Sequence, residues 1–102
     1  MTELVVTDNP ALHRYEAHLD GRLAGFVDYH PTTELRALTH TEVDTAFEGQ
    51  GVGGALARAT LDDIRERGTK ALVTCPFLLA WVGRNPEYAD VLYGASRSAV
   101  TD

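Results

Sequence analysis

The ten residues FEGQGVGGAL (47–56) hold four glycines, Gly49, Gly51, Gly53 and Gly54, and lead straight into a helical pattern. A glycine inside a helix is less favourable than alanine by about 0.5–1 kcal/mol, so the run needs a reason. One reason is steric: a tight strand-to-helix turn and close packing of the helix on a sheet. Gly51 and Gly53 suffice for that turn and leave Gly49 and Gly54 surplus. The other reason is chemical. A helix starts with backbone N–H groups that lack intrahelical acceptors, and its dipole favours negative charge there. A loop without side chains lets a phosphate reach those donors. Spacing alone leaves both readings open.

The elements around the run say where such a site would sit. ELVVTD (3–8) reads as a first strand. Two β-prone runs, 13–19 and 22–30, flank Asp20-Gly21, the strongest short-range hairpin signal. Residues 34–44 form a long fourth strand. Without a bulge, Leu35, Ala37, Thr39, Thr41 and Val43 share one face, and Arg36, Leu38, His40, Glu42 and Asp44 the other. From Val52 the period becomes helical, with Gly53, Leu56, Ala57, Thr60, Leu61 and Ile64 on one stripe. Basic residues and Gly68 mark its end. KALVTC (70–75) is a short strand that closes a β-α-β crossover, so it should lie parallel to the fourth. Pro76 suits a first helical position, and 76–84 reads as a short helix packed on the core by Phe77, Leu78 and Trp81. A turn and one helical turn follow over 85–93. The expected fold class is therefore α/β (α+β): a mixed, mostly antiparallel sheet with one β-α-β crossover and two main helices.

Length and composition bound the function. The chain of 102 residues is one domain, residues 1–94, with a tail at 95–102 expected to fray. Fifteen acids against nine bases, a net charge of −6, argue against a nucleic-acid partner. No apolar run approaches the roughly 20 residues of a membrane span, and MTELVVTDNP has no leader pattern. The single cysteine, Cys75, excludes an internal disulfide and fits a cytoplasmic location. His13, His18 and His30 show no metal-ligand spacing, so no metal is expected.

A P-loop needs Lys and Ser/Thr after its last glycine, where this chain has Gly54-Ala55. A dinucleotide fingerprint belongs in the first turn of a parallel sheet, and this run follows an antiparallel meander. What the run does resemble, with LTHTEVD before it and EGQGVGGALARATLDDIRERG as its body, is the acetyl-CoA-binding core of the GCN5-related N-acetyltransferases. That signature, Arg/Gln-x-x-Gly-x-Gly/Ala, aligns with Glu48, Gly51 and Gly53. More narrowly, HTEV, GQG, a strand ending in cysteine and RNPEYADVLY are similar to a subfamily of minimal acetyltransferase-like proteins, over residues 15–93.

The resemblance implies acetyl-CoA as co-substrate. Backbone amides of Glu48, Gly49, Gln50, Gly51, Val52, Gly53 and Gly54 would hold its pyrophosphate, with Arg84 and Asn85 near its exit. Glu48 departs from the signature, and its carboxylate would repel a pyrophosphate unless turned to solvent. The fourth strand would splay from the fifth, admitting the pantetheine arm beside the backbone of Glu42, Val43, Asp44 and Thr45. An oxyanion donor would be a main-chain N–H around Val43. For the proton, His40 and Glu42 share a strand face, and an imidazole titrates near neutral pH. The alternative for His40 is a surface polar group. Cys75 would protonate the departing thiolate or accept the acetyl group; its alternative is a small buried hydrophobe. Tyr88 and Tyr93 are further acids without a motif to fix either.

The expected function is acetyl transfer from acetyl-CoA to an amine, by a monomer or homodimer without nucleic-acid or membrane partners. The first alternative is a module that holds acetyl-CoA or CoA as a sensor without turnover. It rests on the missing helices that ordinarily follow the family's first strand and wall the acceptor side. The second is an unrelated α/β domain whose glycines only turn the chain.

Overall fold

Asp20 and Gly21 both take positive φ, 51° and 84°, the two-residue geometry whose twist matches the strands that it joins. In the computed structural model, which describes residues 3–32 and 34–94, this turn links the second and third of five strands. They are β1 (Leu4–Asn9), β2 (Arg14–Leu19), β3 (Arg22–Pro31), β4 (Leu35–Val43) and β5 (Lys70–Val73), ordered in the sheet as in the chain. The first four pair antiparallel and β5 lies parallel to β4. Two helices, α1 (Val52–Glu66) and α2 (Pro76–Arg84), and two 3-10 segments, Thr45–Phe47 and Pro86–Val91, complete the fold. The mixed sheet with its α1 crossover matches the expected class. The tail at 95–102 lies outside the described residues.

The helical stripe predicts which face of α1 is buried. Leu56, Ala57, Leu61 and Ile64 are fully buried in one core with Tyr15, Ala17, Val27 and Leu38. Each large side chain so buried is worth about 1.5–3 kcal/mol. Gly68, at φ 72°, ends the helix, its N–H bonding to the Arg65 carbonyl. Between α1 and the first four strands lies a polar network of Asp8, Tyr15, Tyr29, Arg36, Asp63 and Arg67.

Three expectations need correction. A register shift places Asp28 opposite His40 but Tyr29 opposite Leu38, leaving Thr39 as an extra residue. This bulge reverses the facing before it: Arg36 and Leu38 join Thr41 and Val43 on the α1 side, while His40 and Glu42 stay on the other. β5 stops at Val73, because the chain turns there to make Cys75 the N-cap of α2. Phe77 is 37% exposed rather than a core residue, whereas Leu78 and Trp81 are buried. Among the described residues, nothing covers the face of the sheet away from α1, where Leu23, His40, Glu42 and Leu72 are exposed.

Candidate active site

β5 pairs with β4 only from Leu35 to Leu38. The Thr74 N–H donates to the Leu38 carbonyl at 3.1 Å, after which the two segments part. β4 continues to Val43 without a strand on that edge among the described residues. Two groups face each other at the mouth of this split: the Cys75 thiol, 3% exposed, donates to Thr41 Oγ1 at 3.3 Å. Past the bulge at Thr39, strand alternation aims Thr41 toward Cys75 and, one residue to either side, His40 and Glu42 toward the open face. There His40 Nε2 stands 3.1 Å from Glu42 Oε1, both side chains more than half exposed. The Phe26 ring lies 6.2 Å from the imidazole. A neutral imidazole that donates Nε2–H to Glu42 keeps its Nδ1 lone pair for a proton.

Below the split, Asp44 closes β4, its N–H bonded to the Ala24 carbonyl and its carboxylate accepting from the Ala46 N–H at 2.8 Å. Phe47 and Val52, both buried, pin the loop at its two ends. Between them Gly49 and Gly51 take φ of 82° and 80°. α1 makes its first internal bond from the Ala55 N–H to the Gly51 carbonyl. Among the described residues, the amides of Gly49, Gln50, Gly51, Val52, Gly53 and Gly54 have no acceptor. Six consecutive donors at a helix N-terminus form a surface suited to an anion. The Glu48 side chain is exposed to solvent.

The four glycines divide by cause. Gly49, expected to be surplus, is required by its backbone, as is Gly51, although a side chain at either would meet open space. Gly53 has another reason: a Cβ there would come within 2.8 Å of Phe77 Cζ. At Gly54 a Cβ would make an ordinary contact, 3.8 Å from Trp81 Nε1. Gly49→Ala and Gly51→Ala should each lower stability by about 1–2 kcal/mol through left-handed strain. Gly53→Ala should stay within about 1 kcal/mol of wild type, because the exposed Phe77 ring can swing aside and alanine favours the helix. Urea denaturation of the three variants reads the difference, and equal losses would refute this division.

The remaining expected residues fall outside the split. Asn85 donates its side-chain amide to the Trp81 carbonyl at 2.9 Å and so caps α2, while Arg84 is exposed at the same helix end. The Tyr88 hydroxyl donates to Asp62 at 2.9 Å on the outer side of α1. Burial and that bond push its pKa up, so it is held as a neutral structural group. Neither Thr41 nor a groove of about 410 Å³ lined by residues 23–26 and 42–45 carries a signature in the sequence. That groove forms where the start of β3 meets the end of β4.

A family model described as GCN5-related N-acetyl-transferase matches residues 14–91. Protein NATD1 of Homo sapiens is 43% identical over 49 residues, which cover 48% of this chain and 43% of that protein; the Xenopus tropicalis relative is also 43% identical over 49 residues, 45% of its length. The chain thus spans less than half the length of these curated relatives. Among solved structures, a GCN5-like protein from Staphylococcus aureus superimposes with a TM-score of 0.67 over 90% of both chains at 22% identity, which is likeness of fold. The ribosomal-protein-alanine N-acetyltransferase of Brucella melitensis biovar Abortus 2308 gives 0.55 at 27% identity, over 62% of this chain and 51% of that one.

Proposed function

The chain belongs to the GCN5-related N-acetyltransferase family, and from that premise we propose that it transfers the acetyl group of acetyl-CoA directly to an amine. The observation that carries this reading is the row of unpartnered amides from Gly49 to Gly54, set at the foot of the β4–β5 split. The backbone fits a diphosphate there: both left-handed glycines leave the approach free of side chains. Acetyl-CoA supplies an acetyl group activated as a thioester. The free edge of β4 around Val43 orients that group, and a main-chain N–H there steadies charge on the carbonyl oxygen. His40, backed by Glu42, takes the proton from the incoming ammonium. The amine nitrogen bonds to the carbonyl carbon and gives up its second proton to solvent, the C–S bond breaks, and the leaving sulfur takes a proton from the Cys75 thiol, which recovers one from solvent. Arg84, exposed at the end of α2, would meet the outer phosphates.

Adding acetyl-CoA should raise the unfolding midpoint, by the equivalent of about 2.7 kcal/mol at a hundred times its Kd. Adding an amine panel should then release free thiol. No shift in midpoint would overturn the reading. A shift without thiol release would favour the alternative of a holding module, to which the uncovered sheet face lends support.

A further inference from the structure

The groove beside the split is larger than an acetyl group or a simple amine needs: its 410 Å³ lies in the range of small-molecule sites. Two of its lining residues, Glu42 and Asp44, are carboxylates, and none is Lys or Arg. Among the described residues no Lys or Arg pairs with either acid; Glu42 meets only His40, and Asp44 accepts only the Ala46 N–H. Leu23 and Phe26, the latter opposite Glu42, supply apolar surface, and the Arg14 guanidinium lies 4.7 Å from the Phe26 ring. Resting on the acetyltransferase reading, we propose that this groove takes a small diamine or polyamine, its reacting nitrogen beside His40 and Glu42 and a second ammonium on Asp44.

Two arguments converge on a second charge. The first is electrostatic. A monoamine must lose its proton before it can attack, so the attraction of an acidic groove disappears at the moment of reaction. A second ammonium keeps its charge throughout, and its pairing with Asp44 persists in the transition state, where binding accelerates the reaction. The second is spacing. Glu42 and Asp44 are two residues apart in extended chain, about 6.6 Å at 3.3 Å per residue. The nitrogens of 1,4-diaminobutane, separated by five single bonds of about 1.5 Å in a zigzag, span roughly 6 Å. The four methylenes would then lie over Leu23 and Phe26.

The test compares kcat/KM for 1,4-diaminobutane and butylamine, equal in chain length and different by one ammonium. A charge-assisted bond predicts a preference for the diamine on the order of tenfold to a hundredfold. In Asp44→Asn the preference should fall to within about threefold, while the amide oxygen still caps Ala46 and the acetyl-CoA-induced midpoint shift reports a folded site. Calorimetric titration of 1,4-diaminobutane onto the CoA-loaded protein should show the same loss without turnover. Equal rates for the two amines, a preference that survives Asp44→Asn, or faster acetylation of a lysine peptide would each overturn the proposal. Turnover of other amines would leave the acetyltransferase reading standing in those cases; neither turnover nor a midpoint shift would bring down both.

Discussion

His40→Gln should lower kcat for acetyl transfer by roughly 10²–10³-fold, the usual worth of a positioned base, while acetyl-CoA affinity stays within about twofold. Glutamine keeps a polar group of similar reach on the open face but cannot hold a proton. Among the described residues His40 has one side-chain hydrogen bond, to Glu42 at 3.1 Å, and both groups are exposed, so the exchange should leave folding intact. Glu42→Gln is the companion. Its amide oxygen still accepts from Nε2, which keeps the ring oriented, but it no longer offsets the charge that the imidazole gains. The expected loss is smaller, about tenfold. A His40→Gln enzyme with wild-type kcat would leave the proton to water or to another group.

The reason that His40 and Glu42 are placed together is also the reason that the sequence told only part of the story. Their alternation in THTEV predicts a shared face, and they share it. The same alternation extended backwards puts Leu38 and Arg36 beside them, which is wrong. A bulge adds a residue to the strand without a compositional mark; Thr39 is as β-prone as its neighbours. Only the pairing of Tyr29 with Leu38 exposes it. Hairpin, crossover helix and parallel strand were legible because each rests on a local period or a turn that few residue pairs can make. The groove was not, since the pairing of β3 with β4, rather than nearness along the chain, brings Leu23 and Asp44 to its walls. Phe77 misled for a similar reason: its letter is apolar, but its position on α2 points it at the bare first turn of α1.

Arg36→Met should cost about 3 kcal/mol, a fall of roughly 10–20 °C in Tm for a domain of this size. Methionine keeps much of the aliphatic stem, so the loss comes from the guanidinium. That group donates to the Tyr15 hydroxyl at 2.8 Å and to Asp8 at 3.3 Å and lies 4.3 Å over the Tyr29 ring. The Asp8 and Arg36 side chains are only 15% and 13% exposed, so removing the cation leaves a largely desolvated carboxylate with Tyr29 and Arg67 as its remaining partners.

The pH dependence of stability carries the same signature. Burial alone would raise the Asp63 carboxyl, but bonds from Tyr15 and Arg67, with the charges of Arg67 and Arg36, bring it net below its ordinary value. A depressed folded pKa stabilises above the unfolded value, about 3.9, and that contribution is lost as pH falls through the folded one. Burial and the bond to Asp8 push Tyr29 up to about 12, so its contribution is complete below pH ~10 and lost as pH rises toward 12. Without Arg36 the downward pull on Asp63 weakens, so the acid loss that Asp63 contributes in Arg36→Met should be smaller, and complete at higher pH, than in wild type. Urea midpoints measured across the acid range decide it. An Arg36→Met protein as stable as wild type, with an unmoved acid limb, would mean that the desolvation of this cation already cancels everything that it binds.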